Sequence, residues 1–227
     1  MKLVLRVDDV GLIPHGGQDR GLELAKRFHD AMDGLPYLTA VIPGILDRSG
    51  VEWIRSRPAR MTVALHGWTH AKGMSGGECE YQGMGRGMCI YALERGLGIL
   101  GDGILDFVPP WNATTPELLG ACRRVGLNRI WGQPYASERP FPPEPKDFGL
   151  FIPSWMPLYG ATAWRMADDR PALLDVLPTV GDVTAVMVLH ITWEASFSKT
   201  FDGVKRLIAE YGDTFISPEE YTRPYVQ

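Results

Sequence analysis

Apolar positions along the chain recur with a period that switches repeatedly between two and about 3.6, and the switches divide the sequence into short alternating elements. Residues 2–7 (KLVLRV) read as a buried strand, with Val4, Leu5 and Val7 supplying much of its apolar surface. Leu22, Leu24, Ala25, Phe28 and Met32 then fall at mostly helical spacing across residues 18–33. Residues 37–42 (YLTAVI) are β-branched and aromatic, and Pro43-Gly44 ends them. A short helix over 50–57 leads to a strand over 61–65 (MTVAL), closed by His66-Gly67. Residues 73–85 are glycine-rich and irregular, a long loop over one face, with Tyr81 as a possible substrate contact.

The second half continues the alternation. Ile90, Leu93, Leu97 and Leu100 predict a helix over 86–100, and residues 104–108 (ILDFV) a strand stopped by Pro109-Pro110. Thr115 is placed to cap a helix that begins with Pro116 and Glu117 and runs to about Val125. Short strands are expected at 128–131 and 149–153, separated by a proline-rich stretch at 134–147. Asp169–Leu177 reads as a helix, 183–189 (VTAVMVL) as the most fully buried strand, 201–211 as a helix and Thr214–Ile216 as a last strand. Strand and helix in regular succession imply an α/β fold with a parallel sheet covered by helices. The length of 227 residues is short for a regular eight-strand barrel of about 250 residues. An irregular (β/α) barrel of about seven parallel strands is therefore expected, with a doubly wound open sheet as the alternative. No change of composition marks a boundary, so residues 1–227 are expected to form a single domain.

Composition narrows the function classes. With 23 basic against 27 acidic residues and a net charge of −4, the chain offers nothing suited to nucleic acid or to a basic membrane surface. Arg6, Asp8 and Asp9 interrupt the first apolar run, so no secretory leader or membrane span is expected, and the cytoplasm is the expected location. Cys79, Cys89 and Cys122 lack metal-type spacing and read as free thiols of a reducing compartment.

The chemistry collects directly after the predicted strands: Asp8 and Asp9 after the first, His66 and His70 after the third, Trp111 and Asn112 after ILDFV, and His190 after the last strong strand. In a parallel sheet or barrel these carboxyl ends open onto one face, so residues distant in sequence converge. If His66-Gly-Trp-Thr-His70 turns helically, the two imidazoles face the same way. Two imidazoles and one carboxylate, from Asp8 or Asp9, form a common facial set that leaves positions open for water and substrate. The other carboxylate would then face the water beside the ion. Trp68, Trp111 and Trp193 flank these residues and are candidate platforms for a sugar ring, and His15 is a candidate on the first loop. His29 falls within a helix pattern and reads as structural.

Four of these segments together resemble the NodB-like polysaccharide deacetylase superfamily. Arg6-Val-Asp8-Asp9-Val-Gly11 resembles its first motif and His66-Gly-Trp-Thr-His70 its second. Val108-Pro109-Pro110-Trp111 resembles its third and Leu189-His190 its last, in the family's order across most of the chain. The resemblance implies an irregular (β/α) barrel in which Asp9, His66 and His70 bind one divalent ion, usually zinc. It further implies that Asp8 is the catalytic base and His190 the acid, in hydrolysis of an acetamide or acetate ester on a glycan or a small molecule. Val108 stands where the family usually carries the arginine that orients the base, and Asn112 where glycine is common, which marks a divergent branch. Arg6 is a candidate replacement for that arginine, with its direction open. No segment matches the fourth motif, so the acidic partner of His190 is open among Asp168, Asp169 and Asp182. A non-carbohydrate amidase or cyclic-imide hydrolase, and a non-catalytic carbohydrate-binding relative, are the alternative functions.

Overall fold

The computed structural model of the chain describes residues 2–11, 21–71, 79–132, 150–153, 184–190, 205–206 and 208–223. Seven strands lie in one sheet in the order β6-β5-β4-β3-β2-β1-β7. They are β1 (Lys2–Val10), β2 (Tyr37–Val41), β3 (Met61–Leu65), β4 (Asp106–Phe107), β5 (Arg129–Gly132), β6 (Leu150–Pro153) and β7 (Thr184–His190). Every pairing is parallel. The order runs in sequence from β1 to β6, and the last strand returns to pair with the first. That is the winding of a barrel; a doubly wound sheet reverses direction partway.

Helices α1 (Gly21–Ala31), α2 (Arg48–Arg55), α3 (Arg86–Leu100) and α4 (Pro116–Arg124) are described among the crossovers. The sequence predicts the start of α4 for a physical reason that the structure repeats, while α2 begins at Arg48, two residues before the expected 50–57. Thr115 accepts a hydrogen bond from the Leu118 amide, and Pro116 occupies the first turn of α4, where its missing N–H costs nothing. Asp47 likewise caps α2 by accepting from the Gly50 amide. Among the described residues no helix is long and apolar enough to cross a membrane.

Alternation along β1 sorts two packed layers. Leu3, Leu5 and Val7 join Leu24, Phe28, Leu93 and Leu118 in the larger core between sheet and helices. Val4 joins Leu38, Ala40, Ala64, Val108, Trp131 and Val186 in a second, smaller cluster on the concave side. Arg6 and Asp8 share the face of Val4, so the strand buries charged side chains there; they are 0% and 1% exposed. Such burial is tolerable only if the charges meet partners.

Several expectations change. β1 does not stop at Val7 but continues through Asp8 and Asp9 to Val10, because pairing with β7 holds it as far as Asp8 opposite His190. His190 is accordingly the last residue of β7 rather than the residue after it. β4 is only Asp106–Phe107, shorter than the 104–108 block. Thr214–Ile216 does not form a strand. Gly212–Thr214 is a 3₁₀ turn, and Phe215 makes a single parallel bridge to Leu3 below the point where β2 begins. Tyr81 is a core residue, 1% exposed and edge-on to Phe107, not a substrate contact. Cys79, Cys89 and Cys122 are buried free thiols. The helix expected at Asp169–Leu177 and the irregular stretch at 134–147 lie outside the described residues.

Candidate metal centre

The site begins with an irregularity in β1. The register against β2 shifts between Val7 and Val10, and Asp9 sits at φ +65°. A regular strand would point Asp8 and Asp9 to opposite faces; the bulge turns both carboxylates into the same region. Asp9 then lies 3.3 Å from His66 Nε2 and 3.5 Å from His70 Nε2, through one oxygen, Oδ1.

His66 follows directly on β3. Its Nδ1 donates to the Val108 carbonyl at 2.8 Å, which turns Nε2 toward Asp9. His70 reaches the same place by a route other than the helical turn expected from the spacing. The segment is irregular, with Gly67 at φ +74° and His70 at φ +55°, and these two left-handed residues fold the chain back. The two rings end 4.8 Å apart. Glu80, from the stretch whose composition predicts a glycine-rich loop, closes this turn from behind. Its carboxylate accepts from the backbone amides of Trp68, Thr69 and His70.

One ligand atom from each of Asp9, His66 and His70 lies within 4.8 Å of the others, a group that could hold a metal ion. Two donors about 2.0–2.1 Å from a tetrahedral ion are roughly 3.3 Å apart. The separations from Asp9 meet that requirement. The protonation states fit as well. Burial, with the His66 charge beside it, pushes the His70 imidazole down to about 4, so it is neutral at neutral pH. Burial would raise the Asp9 carboxyl, but the His66 hydrogen bond and the surrounding imidazoles hold it below its ordinary value. Burial also disfavours a charged His66, yet the hydrogen bond to Asp9 and the two carboxylates outweigh it, so its affinity for a proton rises. A proton thus serves where a cation fits.

Asp8 is wired separately. Arg6 Nε donates to Asp8 Oδ1 at 2.8 Å and Arg6 Nη2 to Asp8 Oδ2 at 2.5 Å, a bidentate pair. Arg6 also donates to the Trp131 carbonyl at 3.0 Å and to Asn112 Oδ1 at 2.9 Å. The open direction of Arg6 is thereby resolved: it lies two residues before Asp8 on the same strand face. Burial would raise the Asp8 carboxyl, but Arg6 first, then His66 and His190, bring it down to about 2. His190 Nε2 stands 3.9 Å from Asp8 Oδ2, with 28% of its side chain exposed.

The remaining expected residues divide. Trp111, at φ +58°, is 53% exposed and lays its ring 4.8 Å from that of His70. Asn112 supplies its side-chain oxygen to Arg6. Trp68 carries the Arg95 guanidinium 4.4 Å over its ring and accepts the Gly44 amide on its carbonyl at 2.8 Å. His15, Trp193, Asp168, Asp169 and Asp182 lie outside the described residues.

No family model matches the sequence, and no curated protein matches it. Solved structures do. A candidate polysaccharide deacetylase from Mycobacterium smegmatis superposes with a TM-score of 0.68 at 16% identity, over 99% of this chain and 90% of that one. A family 4 acetyl xylan esterase from Clostridium thermocellum, solved with a cobalt ion, gives 0.60 at 19% identity, over 98% and 91%. A CE4 family pseudoenzyme from Bacillus anthracis gives 0.61 at 11% identity, over 96% and 64%. The architecture is therefore the distorted (β/α) barrel shared by these solved structures, at identities of 11–19%. A pseudoenzyme shares it, so the fold leaves the reaction to be argued from the site.

Proposed function

We propose that this chain is a metal-dependent hydrolase that removes an acetyl group from an N-acetylated sugar or glycan, using one divalent ion, zinc, held by Asp9, His66 and His70. The observation that carries this reading is the adjacency of two differently wired carboxylates. Asp9 faces two imidazoles at 3.3 and 3.5 Å, while its neighbour Asp8 is locked by Arg6 and faces His190 at 3.9 Å. One bulge in β1 thus separates a ligand position from a base position.

A divalent ion in such a site polarises an acyl carbonyl and lowers the pKa of water. Asp8, ionised at any working pH, takes the proton of the attacking water, and Arg6 holds its oxygens in fixed orientation. His190, the more exposed of the site's imidazoles, gives a proton to the departing amine nitrogen as the C–N bond breaks. Trp111 walls the entrance beside His70 and offers an aromatic face to a sugar ring. Asn112 supports Asp8 through Arg6, whose Nη2 donates to the Asn112 side-chain oxygen.

The test is acetate release from zinc-loaded protein, with N-acetylated oligosaccharides set against small acyclic and cyclic amides. Acetate from the sugars is expected. In Asp8→Asn, zinc uptake should persist while turnover falls by about two orders of magnitude or more. Turnover of the small amides alone would assign the site to a non-carbohydrate amidase, and undiminished turnover in Asp8→Asn would remove Asp8 from the base role.

A further inference from the structure

We infer that Glu80 is the positioning residue for His70, ordering the Gly67–His70 turn so that this imidazole meets the ion; the inference rests on the metal-site reading above. Three successive amides point at one carboxylate: Trp68 at 2.8 Å and Thr69 at 3.1 Å donate to Oε1, and His70 at 2.9 Å donates to Oε2. Successive N–H groups converging on one anion form a backbone nest, and a carboxylate there makes charge-assisted bonds. Glu80 is only 4% exposed, so water does not compete for those amides.

The surroundings are shaped to admit it. A Cβ on Gly67 would stand 2.2 Å from Glu80 Oε2 and 2.5 Å from Pro110 Cγ, so only glycine leaves room for the carboxylate. Gly67 also needs φ +74°, and His70 takes φ +55°, a region that is strained for a residue with a Cβ. Something must hold His70 there, and the bond from its own amide to Glu80 does so directly. His66 leaves an ordered strand and is fixed by Val108, whereas His70 belongs to no regular element. Of the two imidazoles, it is the one whose place depends on a clamp.

The experiment compares wild type, Glu80→Gln and Glu80→Ala in two ways. Zinc affinity is measured by chelator competition, and backbone amide exchange at 68–70 is measured in the metal-free protein. Glu80→Ala should bind zinc about 10–100-fold more weakly, the usual effect of losing a group that orients a ligand. Glu80→Gln, which keeps one acceptor but turns a donor toward the amides, should fall between. Amide exchange at 68–70 should accelerate in the same order. Wild-type zinc affinity in both variants would overturn the inference, as would unchanged exchange at 68–70, even if their melting temperatures fall. Should Glu80→Ala not fold, Glu80→Gln alone decides by the same two readouts. Wild-type protein that takes up no zinc would overturn the metal-site reading instead, and exchange at 68–70 would then decide whether Glu80 orders the turn.

Discussion

At the residue scale the Arg6–Asp8 pair places two opposite charges inside the sheet's concave side. Both side chains are almost fully buried, so the pair holds only while both charges and their hydrogen bonds are present. Arg6→Ala would leave Asp8 uncompensated and should cost about 3–5 kcal/mol in denaturant unfolding. The pH dependence has a definite sign. The Asp8 carboxyl is depressed from an ordinary 3.8 to about 2 by Arg6 and the nearby imidazoles. Its contribution is therefore present above about pH 4 and lost as pH falls through about 2, amounting to about 2 kcal/mol. The stability gap between wild type and Asp8→Asn should narrow over that interval; a gap that stays constant would mean that Asp8 is not held as an ion. The sequence showed Asp8, Asp9, His66, His70 and His190 as a set because each lies at a strand end. It could not show which way Arg6 points: period two puts Arg6 and Asp8 on one face, but not which face turns inward. Glu80 stayed hidden because its partners are backbone amides, which carry no residue-type signature.

At the element scale, regular segments were legible and irregular ones were not. Residues 61–65 and 86–100 coincide with β3 and α3, since apolar period and bounding glycines or prolines fix them. The bulge in β1 and the turn from His66 to His70 depend on positive φ at Asp9 and His70, residue types that pattern alone does not assign there. That is why the spacing of four suggested a helix where the chain makes a left-handed turn. Gly67→Ala tests the turn. The left-handed backbone costs about 1–2 kcal/mol once a Cβ is present, and the clash with Glu80 and Pro110 adds to it. Reduced unfolding free energy together with weakened zinc binding is expected; a variant indistinguishable from wild type would rule out the turn as described.

Across the whole molecule, the two ends of the strands do different work. The carboxyl ends carry the candidate site, while Phe215, Glu219 and Glu220 cover the opposite end. There Phe215 bridges to Leu3, Thr62 donates to Glu219 at 2.9 Å, and Lys2 pairs with Glu220 at 3.2 Å. Leu3 and Asp8 are five residues apart on one strand, about 17 Å at strand rise. Phe215→Ala should therefore lower stability by about 3–5 kcal/mol and leave the zinc affinity of the folded protein unchanged. A matching loss of affinity would show the two ends to be coupled. The sequential strand order was legible from the alternation of elements. The covering of the opposite end was not, because a single bridge at Phe215 leaves no periodic trace.

The bulge at Asp9 has one more consequence. Asp9 lies in β1 and His66, 57 positions on, directly follows β3, with β2 between the two strands. Their donor atoms come together only when β2 sits in correct register with both neighbours, since a slip of one residue turns a strand inside out. Ion uptake would thus serve as a gauge of assembly, blind to a chain that has collapsed but paired its strands one step astray.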